Sequence, residues 1–411
     1  MWRRGAGCWR RAGRDWAAGF ATLAVLGAAR VGAQQPEPRD STLRDTLRDT
    51  LRDTLGRPAA TRVAADSTRM EPAPSGSLGP LFIPAVFYAP ETGLGGGVSV
   101  LYVRSADPTS AAQRPSTHTA NLIVTAKGQY AFGVLNDMWT RGNRWRLGLD
   151  ASWSRFPNRF YGIGALRADT GETFTPTTSS VLLSAQRLLG PGIYAGPKFV
   201  YEDAAITDIV PGGILAGGAI GAGGWRLATL SWITGWDRRE QLYWPQGGHL
   251  LTATVGRAFG RLGSTHTFNR LSLDARLFRR VRGEHVVAAQ FWADFTDGRV
   301  PFDRLPQLGG PQLLRGYFAG RFRDRHTAIA QVEYRTPGME WSWENRLSFV
   351  VFLASGGTAR TPSTFATDQL HTAGGAGLRF ALTPGDRLNF RLDYGVGRGS
   401  NGFYITLGEA F

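Results

Sequence analysis

Apolar and polar side chains alternate along most of the chain after residue 78. In segment 144–154 the apolar positions are Trp145, Leu147, Leu149, Ala151 and Trp153, and most of the positions between them are polar. Segments 270–277 and 388–396 follow the same period of two. Because successive side chains of a strand point to opposite faces, this pattern predicts β-strands with one apolar face and one polar face.

Sixteen such segments can be counted, at 82–89, 94–104, 118–127, 129–140, 143–156, 172–189, 191–204, 224–237, 247–259, 267–281, 284–297, 326–336, 345–356, 370–382, 386–399 and 402–411. Their apolar faces often end in aromatic residues, and short turns alternate with longer loops. A water-soluble sandwich is the alternative, but these features are typical of a barrel with lipid outside and a polar lumen. The predicted fold is therefore all-β, a membrane-spanning antiparallel β-barrel of about sixteen strands.

An even strand number places both ends of the barrel on the same side of the membrane, which we expect to be the periplasmic side. The longest connections, 157–171, 205–223, 298–325 and 357–369, then lie outside. Connection 105–117 does not fit, because it is long and would be periplasmic. Arginine facing lipid near the midplane costs about 2–4 kcal/mol, so the charged strand positions are predicted to line the lumen.

The chain before the barrel divides into two segments. Residues 1–33 begin with several arginines, continue with an apolar run too short to span a bilayer, and end in small residues, which indicates a signal peptide. Residues 34–77 are polar, lack aromatic residues and repeat Thr-Leu-Arg-Asp from Thr42, which indicates a disordered periplasmic tether. A short oligomerising helix is the alternative for the repeat. Residues 78–411 form the barrel.

Composition excludes several classes of function. The formal net charge is +15, but the basic residues are spread along the chain and form no stripe with stacked aromatics, so no nucleic acid is expected. The six histidines lack metal-ligand spacing, and the single cysteine, Cys8, precedes the apolar run of the signal. No HExxH, CxxC or phosphate-binding glycine loop occurs. We therefore predict no cofactor, no metal and no catalytic site.

Connection 298–325 is unusual for a loop of its length. It reads GRVPFDRLPQLGGPQLLRGYFAGRFRDR and mixes leucines and aromatics with five arginines after Phe302. An ordinary external loop would be polar. This mixture is expected to be half buried in the polar lumen, where an arginine can pair with an inward carboxylate.

The motifs of this connection resemble those of the BamA/TamA outer-membrane family, the bacterial surface-antigen barrels. They are LGG at Leu308–Gly310 and LRGY at Leu314–Tyr317, and the predicted strand that follows the connection carries EYR at Glu333–Arg335. The family has a sixteen-stranded barrel whose sixth external loop, between strands 11 and 12, folds inward with an Arg-Gly-aromatic motif. The strand count above places LRGY in the same interval. The resemblance implies that Arg315, Gly316 and Tyr317 lock an inward-folded loop.

Two other segments are similar to family features. Asp237 and Arg238, followed by Pro245 and Gly248, resemble a family turn. The ending 406–411, with Gly408 and Phe411, resembles a terminal targeting strand. The resemblance implies an assembly signal there, insertion by the barrel-assembly machinery, and location in the bacterial outer membrane among its lipids.

The sequence also departs from the family in two ways. The tether leaves no room for the periplasmic POTRA-type modules that precede the barrel in members that insert or secrete proteins. The aspartate that commonly holds the motif arginine on strand 13 corresponds to Ala354 here. A buried unpaired guanidinium is costly, and Glu333 points inward by alternation, so Glu333 is the predicted counter-charge.

The resemblance implies a non-enzymatic protein that helps to insert or translocate a protein or lipid client. The first strand contains Pro84, which cannot donate to a ladder, so its seam with strand 16 resembles the lateral gate of the family. The alternative is a closed barrel in which the first strand pairs poorly but no gate exists. Two other functions remain open, a passive diffusion channel with an arginine-lined, anion-preferring lumen and a barrel enzyme acting on lipids.

Overall fold

The computed structural model describes residues 80–411 except 105–115, 165, 242–243, 340–345, 367–368, 382–386 and 388. The predicted signal peptide, the tether and nearly all of connection 105–117 lie outside the described residues. No helix in the described ranges is long and apolar enough to cross a membrane.

The described residues form nineteen strands joined by turns and short 3-10 segments. They are β1 (Leu81–Ala89), β2 (Gly93–Arg104), β3 (Ser116–Thr125), β4 (Tyr130–Trp139), β5 (Trp145–Arg155), β6 (Asn158–Ile163), β7 (Leu166–Gly190), β8 (Ile193–Thr207), β9 (Trp225–Asp237), β10 (Gly248–Ala258), β11 (Phe268–Arg282), β12 (His285–Gly298), β13 (Gln307–Leu308), β14 (Phe322–Arg323), β15 (His326–Arg335), β16 (Leu347–Ala359), β17 (His371–Ala381), β18 (Asn389–Gly397) and β19 (Ser400–Leu407).

Sixteen of these strands form one closed antiparallel barrel, in chain order from β1 to β19, with β19 returning to β1. The other three do not belong to the wall. Strand β6 pairs only with the start of β7, and β13 pairs with β14 inside the connection between β12 and β15. That connection joins the eleventh and twelfth wall strands, so both the predicted strand number and the predicted position of the long loop are confirmed.

Two predicted strand ends differ from the structure by four residues or more. Strand β7 begins at Leu166, because its first residues pair with β6 in a region predicted to be an irregular loop. Strand β19 ends at Leu407, whereas the strand was predicted to run to Phe411. Gly408 takes a φ of +73° and donates from its N–H to Asn389 O over 2.9 Å, which turns the last residues out of the ladder.

The two faces of the wall differ in chemistry. Large apolar side chains stand exposed on the outer face, among them Phe82 (65% exposed), Trp232 and Phe291. Charged side chains of the opposite face, such as Arg276 and Asp274, are buried and paired with each other. An apolar exterior around a polar interior is the arrangement of a membrane-spanning barrel.

Residues 299–325, called the inward loop below, supply much of the interior. Its side chains Leu308, Leu313, Leu314, Tyr317 and Phe322 pack in one buried cluster with Trp292, Ile329, Ala354 and Ala373 of the wall. Its first residues join two other clusters, Phe302 with Phe160 and Phe174, and Val300 with Trp225. We call the end of the barrel where this loop enters the loop end. The opposite end, with the tight hairpins 191–192 and 283–284, is called the turn end.

Candidate functional site: the inward loop and the strand seam

The motif Leu314–Tyr317 lies directly on strand β18. Gly316 has a φ of +111°, and a Cβ there would stand 2.9 Å from Val396 N. On the facing strand, a Cβ on Gly395 would stand 2.7 Å from the carbonyl carbon of Arg315. Two glycines therefore allow the backbones of loop and wall to touch, since any side chain at either position would push them apart.

Arg315 binds two carboxylates from different wall strands. Its Nη2 lies 2.5 Å from Oε1 of Glu333 on β15, and its Nη1 lies 2.5 Å from Oδ2 of Asp393 on β18. The guanidinium carbon also stands 3.5 Å from the ring centre of Phe352, and the residue is only 1% exposed. The structure thus places the predicted counter-charge against Arg315 and adds Asp393, which the sequence reasoning did not single out. Ala354, where the family aspartate was expected, packs among apolar side chains.

The two carboxylates belong to a larger buried network. Glu333 also accepts from Arg335 (Nη2–Oε2 2.7 Å), and Asp393 accepts from Arg379 (Nη1–Oδ1 2.6 Å). Arg379 in turn donates to Glu409 over 2.7 Å. Removing one partner from a buried ion pair typically costs about 3–5 kcal/mol, because the other charge remains buried. The motif arginine is therefore built into the charge balance of the barrel's interior.

Tyrosines and main-chain groups complete the attachment of the loop. The hydroxyl of Tyr404 accepts from the Gly316 N–H over 3.1 Å and donates to Tyr317 O over 3.2 Å. The hydroxyl of Tyr317 accepts from the Arg398 N–H over 2.8 Å, and Ser400 donates to Gly316 O over 2.7 Å. The main-chain groups of Gly316 and Tyr317 are thus bound by side chains of β19, and the Tyr317 hydroxyl is bound by the hairpin that joins β18 to β19.

The predicted family turn lies at the turn end, between β9 and β10. Asp237 pairs with Arg239 (Oδ2–Nη2 2.9 Å), whereas Arg238 is exposed and its N–H donates to His249 O over 2.8 Å. Pro245 is buried, and Gly248 has a φ of +92° at a place where a Cβ would overlap Arg238 O. The turn therefore uses the second arginine of the sequence Asp-Arg-Arg, which the sequence alone does not reveal.

The last residues of the chain fold inward after Gly408. Phe411 is buried in a cluster with Phe278, Ala288 and Ala410, and its main-chain oxygen accepts from Arg335 over 3.0 Å. Glu409 reaches Arg379, as described above, and Asn389 over 2.8 Å. The predicted signal residues Gly408 and Phe411 therefore join the same interior network as the loop motif.

The seam between β1 and β19 is weakly paired. One residue pair, Tyr88 with Ile405, spans it among the described residues, whereas nine pairs join β1 to β2 and eight join β18 to β19. The rings of Tyr88 and Phe403 lie 6.0 Å apart across the seam. Most main-chain donors and acceptors along the seam side of β1 therefore have no ladder partner in β19.

The first half of the inward loop is anchored nearer the loop end. Arg304 binds Glu202 of β8 over 2.9 Å and stacks 4.3 Å from the ring centre of Trp225. The indole N–H of Trp225 donates to Asp303 over 2.8 Å. Loop and wall are thus joined at two levels of the lumen. Among the described residues, no group of three His, Cys, Asp or Glu side chains could hold a metal ion.

Fold and site together define a closed sixteen-stranded membrane barrel with a loop locked inside it. A family model described as the Omp85 superfamily domain matches residues 121–411, and the chain belongs to this superfamily. The family predicted from the loop motif is thereby confirmed. A search of curated proteins finds no match.

Solved structures share the fold at low sequence identity. BamA from Haemophilus ducreyi lacking POTRA domains 1–3 is 12% identical, with a TM-score of 0.59 over 80% of this chain and 70% of that chain. CdiB from Escherichia coli is 12% identical, with a TM-score of 0.56 over 79% of this chain and 62% of that chain. CdiB from Acinetobacter baumannii is 10% identical, with a TM-score of 0.51 over 80% and 59%. The chain spans less than two thirds of either CdiB structure, and all three likenesses concern the fold alone.

Proposed function

We propose that this protein is a non-enzymatic barrel of the bacterial outer membrane that inserts or translocates a protein or lipid client. The observation that carries the proposal is the single-pair seam between β1 and β19 beside a lumen occupied by a locked loop. Membership of the Omp85 superfamily and the likeness to the BamA barrel support it.

In this proposal the lumen is closed and the seam is the route. The inward loop fills the interior and is held by Arg315 against Glu333 and Asp393. We therefore expect no wide axial path for a solute. The weakly paired edge of β1 offers main-chain donors and acceptors to a strand of a client, as exposed sheet edges do. A client that pairs with β1 would leave sideways into the membrane.

The ends of the chain fit the same proposal. We propose that Gly408 and Phe411 form the signal by which the barrel-assembly machinery inserts this barrel itself. In the closed barrel these residues are held inside by Arg335 and by the wall around Phe278. The assembly machinery would therefore bind the signal only before the barrel closes. At the turn end, which we take to be periplasmic, lies the turn with Asp237, Arg238, Pro245 and Gly248. We propose that this turn fixes the register of β9 and β10 next to the interior network.

A disulfide across the seam tests the route. Tyr88→Cys with Ile405→Cys joins the one paired position, and Cys8 lies in the predicted signal peptide, so no competing thiol is expected. The purified barrel in liposomes is given an unfolded small outer-membrane barrel to insert and, separately, a fluorescent phospholipid to move between leaflets. The oxidised variant is expected to lose one of these activities and to regain it on reduction.

The matched control is Val98→Cys with Leu122→Cys, a pair in the ordinary β2–β3 ladder. It is expected to keep full activity when oxidised. Equal activity of the oxidised seam variant and this control would mean that no client passes through the seam. Loss of insertion alone would identify a protein client, and loss of lipid movement alone a lipid client.

Single-channel conductance tests the locked loop. The refolded wild-type barrel is expected to show low, flickering conductance, and Arg315→Ala is expected to raise it because Glu333 and Asp393 lose the arginine that joins them. Arg321→Ala is the control, since this loop arginine is partly exposed and lies 3.7 Å from the exposed Asp169. Large, steady conductance that is indifferent to Arg315 would favour the passive channel.

A further inference from the structure

A groove runs across the outer face of the wall over strands β10 to β16. Its floor is made of small outward side chains, Ala275, Ala289 and Ala330, and its sides include Leu277 and Phe291. The groove has a volume of about 810 Å³ and is almost wholly apolar. That volume lies in the range of pockets that hold drug-sized ligands, about 300–1,000 Å³, so the groove has room for an acyl chain.

The register shows how the groove is oriented in the membrane. One row of paired residues runs from His249 through Leu277, Ala289 and Val332 to Leu353. His249 is the second residue of β10 at the turn end, whereas Leu353 lies in the middle of β16. Because barrel strands are tilted, the row climbs from the membrane surface at the turn end toward the middle of the wall.

The length of the groove fits one leaflet. The row crosses four strand-to-strand steps of about 4.8 Å, or about 19 Å in all. Half of the hydrocarbon core of a bilayer is about 15 Å thick, and an oblique path through it is somewhat longer. A lipid chain lying in this groove would therefore start at the surface and end near the midplane.

The surface end of the groove carries aromatic and basic groups. Trp236 and His249 line it, with their ring centres 4.4 Å apart. Arg279 is the next outward residue after Leu277 on β11 and is exposed. The charged residues of this end of β9 to β12 that are exposed are Arg238, Arg279, Arg280 and Arg282 against Glu240 and Glu284. The excess of positive charge suits a phosphate headgroup.

We propose that this groove binds one phospholipid of the leaflet at the turn end, with an acyl chain over Ala275, Ala289 and Ala330 and the phosphate at Arg279. Strands β17 and β18 separate the site from the β1–β19 seam, and the proposal does not depend on the proposed function. The lipid would act as a fixed element of the barrel's outer surface at strands β10 to β16.

Native mass spectrometry of the detergent-released barrel with phosphatidylglycerol tests the proposal. The wild type is expected to retain one phosphatidylglycerol, and Ala289→Phe, which fills the floor, is expected to lower the bound fraction at least fivefold. Ala151→Phe is the matched control, because Ala151 is also an outward alanine on a wall strand, β5. Retention by Ala289→Phe equal to the control would overturn the groove. Ala330→Leu fills the same floor more gently if Ala289→Phe does not fold.

A second comparison tests the headgroup. Arg279→Ala is expected to weaken phosphatidylglycerol while leaving binding of a phosphate-free diacylglycerol unchanged. The control is Arg257→Ala, at the other end of β10, which is expected to change neither. Equal loss of both lipids in Arg279→Ala, or no loss of phosphatidylglycerol, would overturn the assignment of the phosphate to Arg279.

Discussion

Glu91 is a buried acidic residue whose carboxyl group makes no hydrogen bond among the described residues. It lies in the turn between β1 and β2, is 4% exposed, and neither carboxyl oxygen has a hydrogen-bond partner among the described residues. Burial raises its pKa to about 7, and the main chain of Glu91 itself and then Lys127 offset part of this rise. A Cβ on Gly310 of the inward loop would stand 3.5 Å from its Oε1. The acid therefore sits where the first hairpin of the seam meets the loop.

This burial predicts a pH-dependent stability. The folded barrel holds a proton on Glu91 up to a pKa of about 7, whereas the unfolded chain releases it near 4.5. Stability should therefore fall as the pH rises from about 4.5 to 7, by about 3 kcal/mol, and level off above. Glu91→Gln should remove this dependence, so the variant should be more stable than wild type at pH 8 and equal to it at pH 4.

The free energy of unfolding is measured in urea at both pH values. The folded fraction is read from the heat-modifiable mobility of the barrel on gels. Glu240→Gln, which changes an exposed glutamate in the β9–β10 turn, is the control and should follow wild type. Parallel curves for wild type and Glu91→Gln from pH 4 to pH 8 would show that folding does not raise the pKa of Glu91, and would contradict this prediction.

The alternation of apolar and polar residues predicts the wall strands well, because each strand faces lipid on one side and the lumen on the other over about ten residues. The prediction fails where a strand no longer lies between lipid and lumen. Strand β6 pairs beyond the wall, and β19 ends at Leu407, just before the turn at Gly408, so alternation carries no information about either. The face of Asp393 was also predictable, but its contact with Arg315 was not. Alternation tells which side chains point inward and not which of them a folded loop will meet.

Strand β18 acts as the platform of the inward loop. Gly395 faces the carbonyl of Arg315, and a Cβ on Gly397 would overlap the Tyr317 ring. Gly397→Ala should therefore displace the motif and raise conductance, as Arg315→Ala is expected to do, although it removes no charge. Gly133→Ala on β4 is the control, because a Cβ there meets only atoms 3.6 Å away. The same planar-bilayer recordings measure both variants, and an unchanged Gly397→Ala channel would mean that the loop does not depend on this contact.

Many of the interior charges among the described residues are paired. Wall arginines pair with wall carboxylates, as in Arg146 with Asp137 (2.8 Å) and Arg276 with Asp274 (2.5 Å). The loop arginines Arg304 and Arg315 then neutralise carboxylates that the wall leaves over, such as Glu202. An arginine-lined pore that prefers anions would need unpaired positive charge on the wall. In the described residues, the loop arginines instead pair with wall carboxylates, and these pairs hold the loop in the lumen.

This pairing predicts the selectivity of a barrel without its loop. Replacing residues 301–322 by a short glycine–serine link should open a large, steady pore. Glu202, Glu333 and Asp393 would then lose their loop arginines, so the pore should prefer cations. The reversal potential in a potassium chloride gradient measures this preference. Adding Glu333→Gln and Asp393→Asn to the deletion should shift the reversal potential toward anions. Anion preference in the deletion itself would mean that unpaired wall arginines, rather than these carboxylates, set the field in the lumen.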